Sequence, residues 1–434
     1  MRRRVPRSSW GTPLRGCSRT SARFSVFYRL ATAALGLAAV ILWPRPGAAS
    51  SSELTLEEAL ALARQRAPAL LEAAGRVAEA RGPVAGASPL LQSNPTLEVE
   101  AGPRTLASGE RAPNVVVGLA QPVELGGKRG ARLDAARAGL ARETARQRDT
   151  ERLVLGEVAA TFLRALHARD RLRLARGSEE TSRDIFQSTQ RRFEAGDVPV
   201  VDVNVARVGL ARARAEVASA EGDEAALLGE LRGLLGLPAD AAFAVRGELS
   251  ALAARAVELP STLPERPDIT ALTSELEEAR AEQRLGESSL WPDISVGARY
   301  ALEGDERAIV GALGVSLPLF ARGQSARVTG AARVGRLQVA LEAARRAQSV
   351  QVQSALARYR KEREAVELLE RDALPLLADN EQLARKSYDA GEMGLAEFLL
   401  VRRDVLEARA DYLTRLLQAA LSRVQLAVQT GALP

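Results

Sequence analysis

Cysteine and histidine are almost missing from this chain, with one of each in 434 residues. Cys17 and His167 are far apart in sequence, so there is no disulfide framework and no transition-metal cage of the usual ligand spacing. A Ser/His/Asp set could be built only around His167, which sits between alanine-rich flanks and reads as a packed or solvated side chain. Gly126-Gly127-Lys128 lacks the leading glycine spacing and the following hydroxyl of a phosphate loop. Arg345-Arg346 and the stretch Arg358 to Glu364 mix both signs, as solvated helix faces do, so no nucleic-acid partner is expected. The sequence therefore reads as that of a non-enzyme, without cofactor or metal site.

Acidic residues are absent from positions 1–49, which hold nine of the 60 basic residues, all arginine. The rest of the chain carries 51 basic against 54 acidic residues, so the apparent excess of +6 becomes a net charge of −3. Long apolar runs are also missing. Leu30 to Trp43 spans 14 residues, short for a transmembrane anchor. It is followed by a small-residue exit, as in a secretory signal peptide cut after Ala49. Cys17 precedes that run, so "LRGC" does not fit a lipoprotein box. The mature protein is expected to begin near Ser50, without lipid. Having no cysteine, it must be held together by burial or by assembly.

Two kinds of segment follow. Long Ala/Leu/Arg/Glu-rich stretches, nearly free of proline, favour helix at 54–90, about 128–192 and about 324–387. Thr55 and Glu58 have capping-box spacing. Leu133, Leu140, Leu155, Val158, Phe162 and Leu166 recur at helical spacing along an alanine-rich face that suits close coiled-coil packing. The other segments are short and alternate with period two. Leu97, Val99 and Ala101 oppose Thr96, Glu98 and Glu100. Ile294, Val296, Ala298 and Tyr300 oppose Asp293, Ser295, Gly297 and Arg299. Each has a strand partner nearby, at 113–123 and 308–320, giving expected hairpins at 95–122 and 292–319 with short loops near 103–113 and 302–308. Ten-residue alternation in an exported chain matches outer-membrane barrel strands.

The chain also repeats itself. "FEAGDVPVVDVNVARVGLARARAEV" (193–217) matches "YDAGEMGLAEFLLVRRDVLEARADY" (388–412). Pro95, Pro122, Gly127 and Arg137 likewise match Pro292, Pro318, Gly323 and Arg333. The expected organisation is a leader at 1–49, a first repeat at 50–238, a connecting segment at 239–265 and a second repeat at 266–434. Each half reads helix, strand, strand, very long helix, tight turn, helix. Two hairpins give four strands, too few to close a barrel, and open edges in a bilayer leave amides unpaired. Three copies would supply twelve.

On the doubled tip motif and "RPDI" (266–269), the sequence resembles the TolC family of outer-membrane efflux proteins over essentially the whole mature chain. "QPVELGGKRGAR" (121–132) is similar to the CzcC-like heavy-metal branch. The resemblance implies a mostly α, internally duplicated protomer whose four strands join a trimeric 12-stranded barrel in outer-membrane lipid, continued by a periplasmic helical tunnel. It implies three partners: two further copies as a homotrimer, a periplasmic membrane-fusion adaptor and an inner-membrane resistance-nodulation-division pump. Ala195, Gly196, Asp197, Ala390, Gly391 and Glu392 would be the adaptor-contacting tips. Glu397 would form a ring of carboxylates gating the entrance, with Leu400 standing one turn on where relatives place another acid. Asp202 is its counterpart, read equally as a helix cap. Drug efflux or type I protein secretion through the same fold stays open, as does an exported structural coiled coil, which would leave the alternating hairpins unexplained.

Overall fold

The computed structural model describes residues 52–431, apart from 106, 108, 256, 258–263 and 305. The expected leader and its cleavage site lie outside the described residues. The N-terminal helical segment is divided where the sequence reading had one helix. A short strand β1 (Ser52–Leu54) precedes α1 (Leu56–Arg66), α2 (Pro68–Glu79) and α3 (Arg81–Ala87). Thr55 caps α1 reciprocally: its Oγ1 accepts from the Glu58 N–H at 3.3 Å while its own N–H donates to Glu58 Oε2 at 2.8 Å. Pro68 forces Ala67 to an extended ψ of 124°, which separates α1 from α2.

Two strands follow, β2 (Thr96–Thr105) and β3 (Arg111–Val123), then α4 (Lys128–Glu194) and α5 (Val200–Leu234). The connecting segment forms β4 (Phe243–Val245) and α6 (Leu249–Ala254). The second half is α7 (Pro267–Ser288), β5 (Asp293–Glu303), β6 (Glu306–Ser316), α8 (Gln324–Leu368), α9 (Leu374–Asp389) and α10 (Leu395–Thr430). At 67 residues α4 extends roughly 100 Å. Its counterpart in the second half is interrupted by a π turn over Leu369–Ala373, where the Leu374 N–H donates to the Leu369 carbonyl. Pro375 explains the break, because it has no N–H to give Arg371 and its ring crowds that carbonyl.

The main core surrounds the middle of α4. Leu155, Val158, Phe162, Leu163 and Leu166 pack on Leu56 and Leu60 of α1, Leu231 of α5 and Leu416, Leu417 and Val424 of α10. β4 and α6 close it through Phe243, Val245 and Leu249. β4 pairs in parallel with β1, Ser52 opposite Phe243. The connecting segment is thus a clamp that ties the strand before α1 to the middle of the chain.

The four long strands form one antiparallel sheet in the order β2-β3-β5-β6. Register sorts the side chains by face. Leu97, Leu119, Ala298 and Gly311 lie in one row, and Val99, Val117, Tyr300 and Ile309 in the next. This apolar face is open: Ile309 is 81 % exposed, Leu313 72 % and Leu97 68 %. Glu98, Gly118, Arg299 and Val310 share the opposite face. There Arg299 reaches Glu98 at 3.5 Å across Gly118. Loops are shorter than the sequence reading allowed, since β2 extends to Thr105 and β5 to Glu303. Among the described residues no helix is long and apolar enough to cross a membrane. β2 and β6 each keep one unpaired edge.

Candidate functional site: hairpin tips, strand-to-helix joint and apolar sheet face

Both helical hairpins reverse through the same backbone geometry. Gly196 has φ +84° and Gly391 φ +78°, values that a residue with a Cβ adopts only under strain. The N–H of Gly196 donates to Phe193 O at 2.9 Å and that of Asp197 to Arg192 O at 2.8 Å. In the second tip Gly391 donates to Tyr388 O at 3.1 Å and Glu392 to Ser387 O at 2.9 Å. These paired bonds close the last helical turn. Pro199 and Gly394 then open the returning helices with ψ of 157° and 155°. Ala195, Gly196, Asp197, Ala390, Gly391 and Glu392 are all exposed.

Asp202 and Glu397 are each the third residue of the returning helix. Asp202 is half-buried and Glu397 exposed. Among the described residues neither carboxylate accepts a hydrogen bond, so neither caps its helix directly. Leu400 is 50 % exposed on the same helix. Between α5 and α10 runs an open groove of about 970 Å³. Val201, Val205, Val208, Leu399 and Leu400 line it, with Arg212, Glu216, Arg403 and Glu407 among its charged residues.

Below the tips the two halves differ. Tyr388 is 6 % exposed and stacks on Phe398 with centroids 4.8 Å apart, whereas its counterpart Phe193 is 40 % exposed. Arg402 is buried and donates to Ser178 O at 2.7 Å. Burial pushes its pKa down, and the Glu381 carboxylate opposes that shift. Arg207, its counterpart, lies over the Phe186 ring instead, 5.6 Å from the centroid. The repeat announced both arginines; which one would be buried depends on hairpin packing.

The "ELGGKR" stretch (124–129) forms a joint between sheet and helices. Glu124 and Arg132 make a two-pronged ion pair at 2.7 and 3.1 Å. Lys128 Nζ donates to Asp293 Oδ1 at 2.7 Å and to Trp291 O at 3.1 Å. Arg129 donates to the carbonyls of Ser88 and Pro89. Gly126, at φ +71°, lies so close to Trp291 that a Cβ there would stand 2.5 Å from that residue's Cβ. The sequence marked one side of this joint; its partners Trp291 and Asp293 lie about 165 residues further on. His167 keeps its Nε2 buried without a partner, and burial lowers its pKa. Among the described residues no cluster of His, Cys, Asp and Glu could hold a metal ion.

An apolar open-edged sheet joined to helical hairpins of this length defines a membrane-embedded conduit. The family model for outer membrane efflux proteins matches residues 59–237 and again 259–432, and the chain belongs to that family. It is an outer-membrane channel protein with a tunnel in the periplasm; family and fold are those of channels. The cobalt-zinc-cadmium resistance protein CzcC of Cupriavidus metallidurans is 27 % identical over 402 residues, covering 89 % of this chain and 91 % of the relative. Protein CyaE of Bordetella pertussis is 30 % identical over 420 residues, covering 91 % and 88 %. In structure the chain is similar to CusC, with a TM-score of 0.74, 19 % identity and coverage of 88 % and 93 %. It is also similar to the Campylobacter jejuni CmeC outer membrane channel, with a TM-score of 0.72, 15 % identity and coverage of 87 % and 85 %.

Proposed function

We propose that the protein is the outer-membrane channel of a tripartite efflux system that exports heavy-metal cations. It acts as a homotrimer, with a periplasmic adaptor at the hairpin tips and an inner-membrane resistance-nodulation-division pump behind it. The observation that carries this reading is the pair of matching glycine-hinged tips, the first at the far end of α4, roughly 100 Å from the sheet. Each protomer presents the same backbone twice, so three protomers present six contacts of one kind. Glu397 stands at the entrance and Leu400 adds an apolar ring above it. Similarity to a cobalt-zinc-cadmium resistance protein over most of both chains supports a metal cargo.

A second reading keeps the channel and changes the cargo to drugs or a secreted polypeptide. The joint supports it: Glu124 is paired with Arg132, Lys128 with Asp293 of β5, and Arg129 with the Ser88 and Pro89 carbonyls, so each charged side chain of "ELGGKR" has a structural partner. A host lacking its own channel, supplied with this protein together with an adaptor and a heavy-metal pump, decides between them. Regained tolerance to cobalt, zinc or cadmium, lost again in Gly196→Val with Gly391→Val, is the expected result. Tolerance regained only to organic drugs, or export only of a polypeptide, selects the second reading.

A further inference from the structure

The seam between the two halves of the chain is fully visible, and the repeat allows the seam between neighbouring copies to be read from it. In the first hairpin Thr96 faces Ala120, and in the second Asp293 faces Ser316. β2 therefore maps onto β5 by adding 197, and β3 onto β6 by adding 196. The left-handed glycines that open α4 and α8, Gly127 and Gly323, give the same shift of 196 for the long helices. Pro68 and Pro267, first residues of α2 and α7, set a shift of 199 there. That last shift also reproduces burial. Ile269, Leu276 and Ala279 of α7 are buried in a cluster with Leu337 and Leu341 of α8, and their counterparts Leu70 and Val77 of α2, with Ala80 just past its end, are partly buried; Ala73 is the one buried residue of that otherwise mostly exposed helix.

Within the chain, α7 has a second contact, with α4 of the preceding half. Arg146 donates to Glu275 at 3.1 Å, Arg142 bonds Glu278, and a Cβ at Gly139 would stand 3.1 Å from Glu278 Oε1. By the shifts, the same contact for α2 requires the α8 of another copy. Both surfaces are uncovered: Gly335, Gln338, Val339 and Glu342, counterparts of Gly139, Arg142, Glu143 and Arg146, are all exposed, as are Glu72, Arg76 and Glu79. The charges are complementary but exchanged. Where the chain sets Arg146 against Glu275, the copies set Glu342 against Arg76. One helical turn away in each helix, Arg346 and Glu72 extend the same alternation. Among the described residues each carboxylate is paired with its own helix neighbour, Glu72–Arg76 at 3.7 Å and Glu342–Arg346 at 3.3 Å.

We infer that the copy-to-copy seam repeats the half-to-half seam with its ion pair reversed. Arg76 of one protomer meets Glu342 of the next, and β6 pairs with the next β2 in a defined register. Inside the chain Leu119 faces Ala298 and Val117 faces Tyr300. The shifted equivalents set Val315 against Ala101 and Leu313 against Pro103 of the neighbour. Leu317 and Leu319, 65 % and 58 % exposed, then fall opposite Val99 and Leu97 on the same apolar face. A pairing displaced by one residue would put that face into the lumen.

The inference rests on the homotrimer of the proposed function and is tested apart from it. In the mature chain, which lacks cysteine, Ala101→Cys with Val315→Cys should give a disulfide-linked trimer in outer-membrane fractions without added crosslinker. Ala101→Cys with Leu313→Cys, two residues out of register, should give little. Arg76→Glu and Glu342→Arg should each lower the temperature at which the trimer dissociates, and the double variant should regain most of the loss. Trimers that link through the displaced pair, or charge reversals that do not compensate, overturn the inferred seam and leave the trimer standing. Absence of any oligomer overturns both.

Discussion

Glu397 and Asp202 occupy the same helical position in the two hairpins, yet their surroundings differ. Phe398, next to Glu397, stacks on Tyr388 and packs with Ile185 and Ala206 of the first hairpin, while Glu397 itself is exposed. Three copies around one axis would gather three carboxylates at one constriction, a negative ring that attracts cations. Glu397→Gln should therefore reduce cation preference and polyvalent-ion block in planar bilayers, and Asp202→Asn should change both less. The reverse ranking would place the gate on the first hairpin. A second residue-scale expectation concerns Asp268. Burial alone would raise its pKa, but the Arg266 guanidinium, at 2.5 and 3.0 Å, outweighs that and holds the carboxyl below its ordinary value. A depressed folded pKa contributes stability above the unfolded value of about 4, and that stability is lost as pH falls through the folded pKa. Asp268→Asn should lower the unfolding temperature at neutral pH, by about 1 kcal/mol of stability, and lessen the loss between pH 4 and pH 2. A melting series that stays parallel to the parent protein at all pH values would show that this pair is not the source.

At the scale of elements, the two half-repeats differ most in their long helices. α4 runs unbroken, whereas Pro375 and the π turn divide α8 from α9. The turn also positions Glu370 to accept from Tyr412 Oη at 2.7 Å, and burial followed by that bond raises the tyrosine pKa. Amide exchange should be faster over 369–376 than over the matching stretch of α4, near 173–180, because Pro375 gives the helical ladder no N–H and the π turn interrupts its i→i−4 pattern. Equal protection would mean that the turn is as rigid as regular helix. The joint at Gly126 gives a sharper expectation. Gly126→Ala must accommodate both a positive φ and the Trp291 side chain, so its melting temperature should fall. Adding Trp291→Ala should recover only the steric share, since backbone strain remains.

At the scale of the whole molecule, the sheet has one wet face and one that needs lipid. Leu313→Arg places a charge on the apolar face, at a cost of about 2–4 kcal/mol near the bilayer midplane. Little folded protein should then reach outer-membrane fractions. Ala312→Arg, one residue along, points into the lumen and should preserve assembly while shifting ion selectivity. Equal effects of the two would contradict the register that separates the faces.

The sequence alone determined the two strand hairpins, the long helices and their order, but not the breaks at Pro68 and Pro375 or the short strands β1 and β4. Period two against period 3.6, the doubled glycine tips and the shared proline and glycine positions are local signals, and local signals survive without tertiary context. It therefore carried the hairpins, the tips at Gly196 and Gly391, and the third-position acids. Tertiary structure decided what depends on distant residues meeting. The pairing of β3 with β5 joined the two hairpins into one sheet. Trp291 and Asp293 turned a family-like stretch into a joint, and hairpin packing buried Arg402 while leaving Arg207 on a ring. Matching motifs in the two repeats cannot foretell such differences, because a residue's burial is set by the neighbour it meets, and the two halves of one chain meet different neighbours.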